Sequence, residues 1–411
     1  MRRRLGRAGL TLAVVAGCRT SEVELLAPPP PPTFAVVLRI QPDKEDSAAA
    51  QPLSWGGVIP GAEVTVTPGD SSQPPRTGQS GVDGLVRFDD LPRGDYQIAV
   101  RRALTDTERA RVAAAGVVGW IATTSKILEP SASPVAVAAA ASRRGSLLVS
   151  EWSYNSAFPA GQSNYDYHSY VELHNATDST IYLDGVVVGR GFAWGYDFPS
   201  FPCSDVAQFA TDSLGVWSTW FQRFPGTGHD YPVAPGKTVL VATDAIDHRP
   251  LGGPDTPDLS HADFEFVGTV DVDNPAVPNM IDVGTRVSRF HGIPWNPLWS
   301  VIFVARPIDL ASLAKARPQN SEQDYLRFPT SHLLDVVSQF TSWTGAEYPS
   351  CPRIISQALD KSPARGMGAD EVADVAYSFQ RVKFGTAPLT LQDTRNSGVD
   401  FARLLRTPGV P

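Results

Sequence analysis

The chain has 411 residues, enough for two or three domains, and its 35 Lys and Arg against 43 Asp and Glu give a formal charge of −8. This balance argues against a nucleic-acid partner, because binding to a phosphate backbone requires clustered positive charge. With 34 glycines, 36 prolines and only 19% charged residues, the composition is typical of loop-rich β structure rather than of helix bundles.

The first 17 residues have the features of an export signal. A basic start precedes an apolar run, Ala8–Ala16, that is too short to span a bilayer, which requires ~20 apolar residues. The run ends in Val15-Ala16-Gly17-Cys18, which resembles the lipobox of bacterial lipoproteins. That resemblance implies cleavage before Cys18 and acyl chains on this cysteine. An ordinary signal peptide with an incidental cysteine is the alternative.

Residues 18–32 are predicted to be a tether. Five consecutive prolines, Pro28–Pro32, favour an extended polyproline II spacer between the membrane and the folded part. A proline-rich ligand for a partner domain is the alternative interpretation. Arg19 stands where some lipoproteins have the aspartate that retains them on the inner membrane, so the sequence favours the outer membrane. The acyl chains are the expected contact with that membrane.

Residues 33–144 are predicted to form a first β-sandwich. Alternating apolar residues predict strands at Ala35–Ile40, Ile59–Thr67 and Tyr96–Val100, and Val82-Asp83-Gly84 predicts a hairpin turn. The order of a PGA strand, a DG turn and an LPxGxY strand resembles carboxypeptidase-regulatory-like (transthyretin-like) domains. This resemblance implies a β-sandwich that acts as a folding aid, a spacer or a protein-contact module.

The same region contains a predicted helix and two tryptophans of interest. Thr105 and Glu108 have capping-box spacing, which predicts a short helix that stops at Gly116. Some domains of the same broad fold bind carbohydrate, and Trp55 and Trp120 are candidates to stack on a sugar ring. The alternative is that one lies in the core and the other anchors a loop. Further strands are predicted at Val117–Leu128 and Pro134–Ala141.

Residues 145–411 are predicted to form a second sandwich around Tyr167–Gly191. In this stretch, two alternating apolar segments flank the turn Asn175–Asp178, which predicts a β-hairpin. Val171-Glu172-Leu173-His174-Asn175 and Leu183-Asp184-Gly185 resemble the signature of lamin-tail-like domains. This resemblance implies an Ig-like sandwich.

A second resemblance lies near the C-terminus. Leu391–Phe401 is similar to the C-terminal signature of an uncharacterised bacterial lipoprotein family of about this length, which carries the same hairpin and has no assigned activity. Long insertions are predicted at Phe192–Pro232 and Asp244–Trp295, and loops of that length are often functional. Other predicted strands are Ser146–Trp152, Val233–Ala242, Trp299–Ala305 and Tyr377–Val382, with a brief helix at Leu310–Ala316 and a strand or helix at Leu333–Phe340.

The three cysteines divide into one lipidated residue and one predicted disulfide. With Cys18 assigned to lipid, Cys203 and Cys351 remain, and an exported protein folds in an oxidising compartment. Their pairing would close a loop of ~150 residues. The resulting loss of entropy in the unfolded chain would stabilise the folded state by ~4–5 kcal/mol. A thiolate nucleophile or a metal ligand is the alternative role.

None of the common catalytic signatures is present, including GxSxG, HExxH, the Walker loop and GxGxxG. His168, Glu172 and His174 share one strand face, but ~13 Å of strand separates the first two residues, and a solvated face is the favoured interpretation. Asp247, His248, Asp258 and His261 are candidates for a Ca²⁺, Zn²⁺ or iron-chelate site, with turn-capping side chains as the alternative.

Two further groups are candidates for ligand binding. Asp271 and Asp273 lie in a stretch with the oxygen density of a calcium loop, although it lacks EF-hand spacing. An aromatic group in the first insertion is a candidate ligand platform, and a local core under the loop is the alternative. The platform would consist of Trp194, Tyr196, Trp217 and Trp220.

The sequence therefore predicts an all-β, membrane-anchored, non-enzymatic lipoprotein with a binding or structural role at the cell envelope. No cofactor is expected apart from calcium as a possible structural ion. The main alternative is a surface accessory that captures a glycan or metal chelate for an outer-membrane transporter. A metal-dependent hydrolase that uses Asp247, His248, Asp258 and His261 is a further alternative.

Overall fold

The protein is described here by a computed structural model with an all-β architecture, as the sequence predicts. Among the described residues, no helix has both the length and the apolar character needed to cross a membrane. The structure describes residues 32–70, 73–143, 145–154, 165, 167–192, 203–269, 272–285, 299–318, 323–341, 355–366, 376–384 and 390–409.

The N-terminal β-unit, residues 33–143, contains one seven-stranded sheet in the order β3-β2-β5-β6-β7-β1-β4. The pair β1 and β7 is parallel, and all other neighbours in the sheet are antiparallel. The strands are β1 (Thr33–Pro42), β2 (Glu63–Pro68), β3 (Arg76–Gln79), β4 (Leu85–Pro92), β5 (Gly94–Ala103), β6 (Val117–Leu128) and β7 (Val135–Arg143). Helices α1 (Ser47–Ala50) and α2 (Asp106–Arg111) and 3-10 turns at Gln51–Leu53 and Ala113–Ala115 connect them.

The period-2 pattern of this unit produces its core. Val64, Val66, Ile98 and Val100 are completely buried on one face, as their alternation predicts. Each such side chain contributes ~1.5–3 kcal/mol relative to an exposed position. Trp120 is also fully buried in this core, whereas the half-buried Trp55 packs at its edge, so neither forms an open sugar platform.

The Val82–Gly84 turn is present, but the strands on either side of it do not pair with each other as a hairpin would require. It joins β3 and β4, which are the two edge strands of the sheet. Gly84 has a φ of +71°, and Arg76 on β3 donates from Nη1 to the Asp89 carbonyl on β4 at 3.2 Å. The sheet therefore curls until its edges adjoin, which protects strand edges from pairing with other chains.

The helix predicted after Thr105 is present. The Thr105 side chain accepts a hydrogen bond from the Glu108 N–H, and Glu108 accepts one from the Thr105 N–H, which completes a capping box. A 3-10 turn follows and ends at Gly116, whose φ is +65°. The local sequence therefore defines both ends of this segment.

The C-terminal β-unit begins at Leu147 and consists of layered sheets. Two six-stranded sheets have the orders β16-β15-β9-β8-β23-β26 and β17-β13-β11-β18-β21-β22. We call them sheet C and sheet F. The strands are β8 (Leu147–Ser153), β9 (Tyr170–Asn175), β10 (Ile181–Tyr182), β11 (Val187–Arg190), β12 (Gly215–Ser218), β13 (Trp220–Arg223), β14 (Pro232–Val233), β15 (Thr238–Ala242), β16 (Phe264–Glu265), β17 (Ile281–Asp282), β18 (Trp299–Ala305), β19 (Ala314–Ala316), β20 (Tyr325–Pro329), β21 (Leu333–Thr341), β22 (Ala364–Gly366), β23 (Tyr377–Arg381), β24 (Lys383–Phe384), β25 (Thr390–Leu391) and β26 (Phe401–Leu405). The helices are α3 (Cys203–Ala210), α4 (Arg249–Gly252) and α5 (Ser397–Asp400), with a 3-10 turn at Leu310–Ser312.

Three layers, rather than two, make up this unit. Val171 and Val241 of sheet C pack against Ile302 and Val304 of sheet F in the main core. The other face of sheet F is covered by a small sheet of β12, β20 and β19, through contacts such as Phe303 with Phe328. Sheet F is therefore apolar on both faces, which explains the continuous apolar run of β18.

The hairpin predicted at Tyr167–Gly191 is wrong. Strand β9 pairs with β8 and β15 in sheet C, whereas β11 pairs with β13 and β18 in sheet F. The chain thus crosses between layers after Asn175, whose Nδ2 donates to the carbonyls of Ser179 and Val233 at 2.8 Å. Each segment has enough apolar residues to be buried in a sheet of its own. Alternation alone therefore could not identify the strands with which each one pairs.

One local prediction also needs correction, and one strand contains a bulge. The predicted helix at Leu310–Ala316 is a 3-10 turn followed by strand β19. The register of β8 against β9 shifts between Val149 and Glu151, which indicates a bulge. Glu151 and Val149 consequently do not share a face, and Trp152 enters the core instead. This shift places Glu151 in the polar cluster described below.

Candidate functional site

The four residues of the predicted metal or hydrolase site do not converge. Asp247 and Asp258 both accept hydrogen bonds from Arg249, at 2.7 and 2.8 Å, on the surface. His248 is buried and uses both ring nitrogens, towards the Tyr165 hydroxyl at 2.7 Å and the Asp244 carbonyl at 2.9 Å.

His261 lies apart from these residues, with Nε2 at 3.3 Å from the Pro408 carbonyl. Among the described residues, no group of three or more His, Cys, Asp and Glu is placed to hold a metal ion. The turn-capping alternative therefore describes this insertion better than the metal site does.

The predicted calcium loop is only partly described. Asp273 accepts from the Asn279 side chain at 2.7 Å, and Asp271 lies outside the described residues. The neighbouring Asn274 donates from Nδ2 to the Ala245 carbonyl at 2.7 Å and bonds Glu265 through its N–H. The described polar side chains of this loop thus fasten it to its own backbone.

The aromatic platform is not assembled by its described members. Trp220 is buried in the main core, with the Arg190 guanidinium 3.8 Å from its ring centroid. Trp217 lies in a separate local cluster with Phe209, and its indole N–H donates to Asp212 at 2.8 Å. The local-core alternative therefore holds for these two residues. Trp194 and Tyr196 lie outside the described residues.

The cysteine predictions also fall largely outside the described part of the chain. Cys18 and Cys351 are not among the described residues, and Cys203 is described only as the first residue of α3. Lipidation at Cys18 and a disulfide between Cys203 and Cys351 stay predictions.

The predicted solvated face of β9 is in fact buried. His168, Glu172 and His174 are each at most 2% exposed. The Asp244–Phe266 insertion and the C-terminal segment Arg406–Gly409 cover the outer face of sheet C. Alternation predicted that these side chains share a face. It could not predict their burial, because the covering segments lie far away in the sequence.

Two carboxylates meet beneath that C-terminal segment. Glu151 and Glu172 are paired positions on β8 and β9. Glu151 accepts hydrogen bonds from the hydroxyls of Tyr170 and Ser378 and from both the N–H and the hydroxyl of Thr407. Glu172 accepts from the Gly409 N–H at 2.6 Å. The pair thus fastens the C-terminus across the sheet.

Burial raises the pKa of Glu172 to about 8, and the Glu151 charge adds to this rise. A pKa above neutral favours the protonated form of Glu172 at pH 7. Burial likewise lowers the pKa of His168 well below its usual range, and Arg406 and His248 act in the same direction. This cluster contains a neutral imidazole and a protonated carboxyl at neutral pH.

A second charged cluster surrounds Arg381, which the sequence search did not identify. Its guanidinium bonds Asp335 at 2.6 Å and the carbonyls of Val149 and Gln392 at 2.8 Å. Asp400 lies 3.9 Å away and accepts hydrogen bonds from Thr394, within the segment Leu391–Phe401. Burial raises the pKa of Asp400 to about 7 and that of Asp335 to about 6. This recognisable sequence segment therefore has a structural role.

A cleft of about 410 Å³ lies at the junction of the two β-units. The junction is held by a hydrogen bond from the Arg143 N–H to the Asp393 carbonyl and by an ion pair of Lys361 with Glu45. Pockets of this volume are typical of small-ligand sites. The lining residues are Ala115, Gly116, Arg143, Gly145, Ser146, Arg306, Thr330, Leu333, Leu334, Asp335, Val336, Ala358, Leu359, Asp393 and Arg395.

The cleft combines apolar walls with an excess of positive charge. Three lining arginines against two lining aspartates leave one net positive charge. Its apolar walls come from Leu333, Leu334 and Leu359. Sequence analysis missed this site because its residues come from six separated segments, and no motif relates them. We take this cleft as the candidate binding site because it combines cationic and apolar lining residues at the junction of the two β-units.

Comparison with known proteins finds a family to which the C-terminal part of the chain is similar. Residues 234–407 match the family model described as a protein of unknown function, DUF4876. No curated protein matches the chain. Among solved structures, the chain is similar to a DUF4876 family protein from Bacteroides thetaiotaomicron, with 18% identity, a TM-score of 0.49, and coverage of 90% of this chain and 94% of that one. The match to this family model covers residues 234–407, which is less than half of the chain.

Proposed function

We propose that this protein is a non-enzymatic, lipid-anchored binding protein of the cell envelope, and that its ligand occupies the cleft between the two β-units. The observation that carries the proposal is the cleft itself, which has ligand-sized volume, apolar walls and exposed cationic side chains such as Arg306. The partners in this proposal are the outer membrane, through acyl chains on Cys18, and a small ligand.

The anchor is supported by sequence. A basic start, a short apolar run and Ala16-Gly17-Cys18 have the order found in lipoprotein signals. Several acyl chains on Cys18 would bind the membrane stably, whereas a single chain binds only reversibly. Residues 18–32 would then separate the cleft from the bilayer surface.

The non-enzymatic part of the proposal is supported by the partners of the buried carboxylates. Glu151, Asp335 and Asp400 accept hydrogen bonds from backbone or side-chain groups that hold strands and turns together. Asp360 bonds Ser338 and the Ser397 N–H in the same way. Groups engaged in this manner stabilise the fold rather than a reacting molecule.

The proposal includes a domain assignment. Residues 33–144 would be a carboxypeptidase-regulatory-like domain and residues 145–411 a lamin-tail-like domain with insertions. Separate sheets in the two parts support the division, since among the described residues no sheet contains strands from both. In this assignment the first domain positions the second and supplies one wall of the cleft.

The anchor is tested by labelling cells that express the full chain with radioactive palmitate. We expect the label on the native protein and on Cys203→Ser, which keeps Cys18, and none on Cys18→Ser. Cys18→Ser should also leave the membrane fraction. Label on Cys18→Ser, or unlabelled native protein, would contradict the anchor.

The cleft is tested with the signal-free protein and a panel of glycans and metal chelates. Binding should be lost in Ala358→Trp, because the large side chain enters the cleft from an exposed lining position. Ala276→Trp, on an exposed loop outside the lining, is the matched control and should bind normally. Ligands that bind Ala358→Trp as well as the native protein would remove the cleft from the proposal.

A further inference from the structure

We propose that the cleft between the β-units is an oxyanion site, in which Arg306 and Arg395 bind the carboxylate or phosphate group of a small sugar-like ligand. This inference rests on the proposed binding function and specifies the chemical class of its ligand. It is carried by the charge arrangement of the lining and by the backbone conformation of Arg395.

Some charges of the cleft lining are already neutralised. Arg143 pairs with Asp46 at 2.5 Å, outside the lining. Asp335 pairs with the fully buried Arg381 at 2.6 Å, and Asp393 lies 3.7 Å from the same guanidinium. The two lining carboxylates therefore face a cation behind the cleft wall rather than the arginines across the opening.

The other two lining arginines differ from Arg143. Arg306 and Arg395 are both exposed in the lining, and neither forms an ion pair with any residue that the structure describes. A guanidinium stays protonated at all physiological pH values and presents a planar fork of donors that matches a carboxylate or phosphate. An anion between them would provide the missing counter-charge.

The backbone of Arg395 is strained. Its φ of +55° lies in the left-handed region, where glycine or asparagine would be less costly than arginine. Flanking bonds enforce this conformation: Lys361 N–H donates to the Arg395 carbonyl at 2.8 Å, and Asp400 accepts from the N–H groups of Thr394 and Asn396. Strain maintained by the surrounding structure is typical of functional positions.

The apolar part of the lining is available to contact the rest of the ligand. Leu333, Leu334 and Leu359 are half-buried in the walls and offer an aliphatic surface beside the arginines. A volume of about 410 Å³ accommodates a sugar ring with its substituent. A carboxylate or phosphate on a compact, partly apolar body therefore fits both features of the cleft.

The test compares three probes that share one sugar ring: glucuronate, glucose 6-phosphate and neutral glucose. Calorimetric titration of the signal-free protein should give binding of at least one anionic sugar and none of glucose. The better of the two anions identifies the oxyanion. Added salt should weaken binding, because it screens the exposed arginines.

The variants are Arg306→Gln and Arg395→Asn, since asparagine tolerates the left-handed backbone. Each should raise Kd about tenfold or more, which corresponds to the loss of one charge-assisted hydrogen bond. Arg223→Gln is the matched control, because Arg223 is an exposed arginine outside the cleft. It should bind normally. Thermal melts should show no loss of stability in any variant, because the substituted side chains are exposed. Arg395→Asn should melt at or slightly above the native temperature, because asparagine is less costly than arginine at this φ.

Failure of the inference is distinguishable from failure of the proposed function. Glucose binding as tight as that of the anionic sugars would overturn the oxyanion assignment. An unchanged Kd in both Arg306→Gln and Arg395→Asn would overturn it too. Absence of binding by either anionic sugar would overturn it as well. If Ala358→Trp abolishes binding of a neutral ligand that both arginine variants bind normally, the cleft function stands and only the oxyanion assignment falls.

Discussion

The two β-units differ in what their interiors contain. In the N-terminal unit, the described buried polar residues are only Asp46, Ser80 and Ser142, and the core is aliphatic and aromatic. The C-terminal unit buries many ionisable side chains among its sheets. These include Glu151, His168, Glu172, His174, Arg190, Asp244, His248, Glu265, Asp335, Asp360, Arg381 and Asp400.

The difference has a topological origin. The N-terminal sheet curls around one core, so its outer face can remain polar and solvated. In the C-terminal unit, insertions and the C-terminal segment Arg406–Gly409 cover a sheet face that carries both polar and apolar side chains. Their polar groups then need internal partners, because an unpaired buried charge is costly. Stability should therefore depend on pH in one unit and much less in the other.

The largest expected effect is that of Arg381→Met. This substitution leaves Asp335, Asp393 and Asp400 without their shared cation, and breaking such a buried cluster costs ~3–5 kcal/mol. Scanning calorimetry should show a marked fall in the unfolding temperature. Arg223→Met, at an exposed position, is the control and should unfold like the native protein. A fall no larger than that of the control would mean that the cluster contributes little.

The matching test in the N-terminal unit is Ile98→Ala. Ile98 is completely buried, and removal of its side chain costs ~2–5 kcal/mol through lost burial and a residual cavity. Ile127→Ala, on an exposed position of β6, should have a small effect. The decrease in the free energy of unfolding caused by Ile98→Ala should be the same at acid and neutral pH. A strong pH dependence of this loss would break the contrast between the units.

The third prediction concerns the pH dependence caused by Glu172. Its pKa is about 8 in the folded protein against 4.5 as its ordinary value, so the folded state binds one more proton between these limits. The contribution of Glu172 to stability is therefore fully present below pH ~4.5 and is lost by ~1.4 kcal/mol per unit as pH rises towards 8. Asp335, Asp360 and Asp400 shift in the same direction.

Glu172→Gln should reduce this slope, because glutamine stays neutral and its oxygen can still accept from the Gly409 N–H. We expect the variant to be more stable than the native protein at pH 8 and close to it at pH 5. Urea unfolding across this pH range measures the effect. The control is Glu63→Gln at an exposed position, and equal slopes for all three proteins would refute the assignment.

The smallest predicted effect is that of Thr105→Ala in the N-terminal unit. This change removes the side-chain acceptor of the capping box and should cost ~1 kcal/mol. Thr107→Ala, at an exposed position inside the same helix, should be neutral or slightly stabilising because alanine is the better helix former. Chemical unfolding of the two variants side by side measures the difference. An equal loss in both would mean that the cap is dispensable.

Sequence alone determined the local structure of this protein. Alternation predicted strands such as β6 and β18, and the spacing of Thr105 and Glu108 predicted the helix that the structure contains. Gly84 and Gly236 adopt the positive φ that their turns require. These features depend on residues within a few positions of each other, so their physical causes are visible in the sequence.

Tertiary structure decided which strands pair and which side chains meet. β9 and β11 entered different sheets, Glu151 joined Glu172 through a bulge, and Arg381 gathered carboxylates from distant segments. The junction cleft likewise brings together Arg306 and Arg395, which lie far apart in the chain. Strand pairing and the covering of a sheet face depend on long-range packing, which a period-2 pattern does not encode.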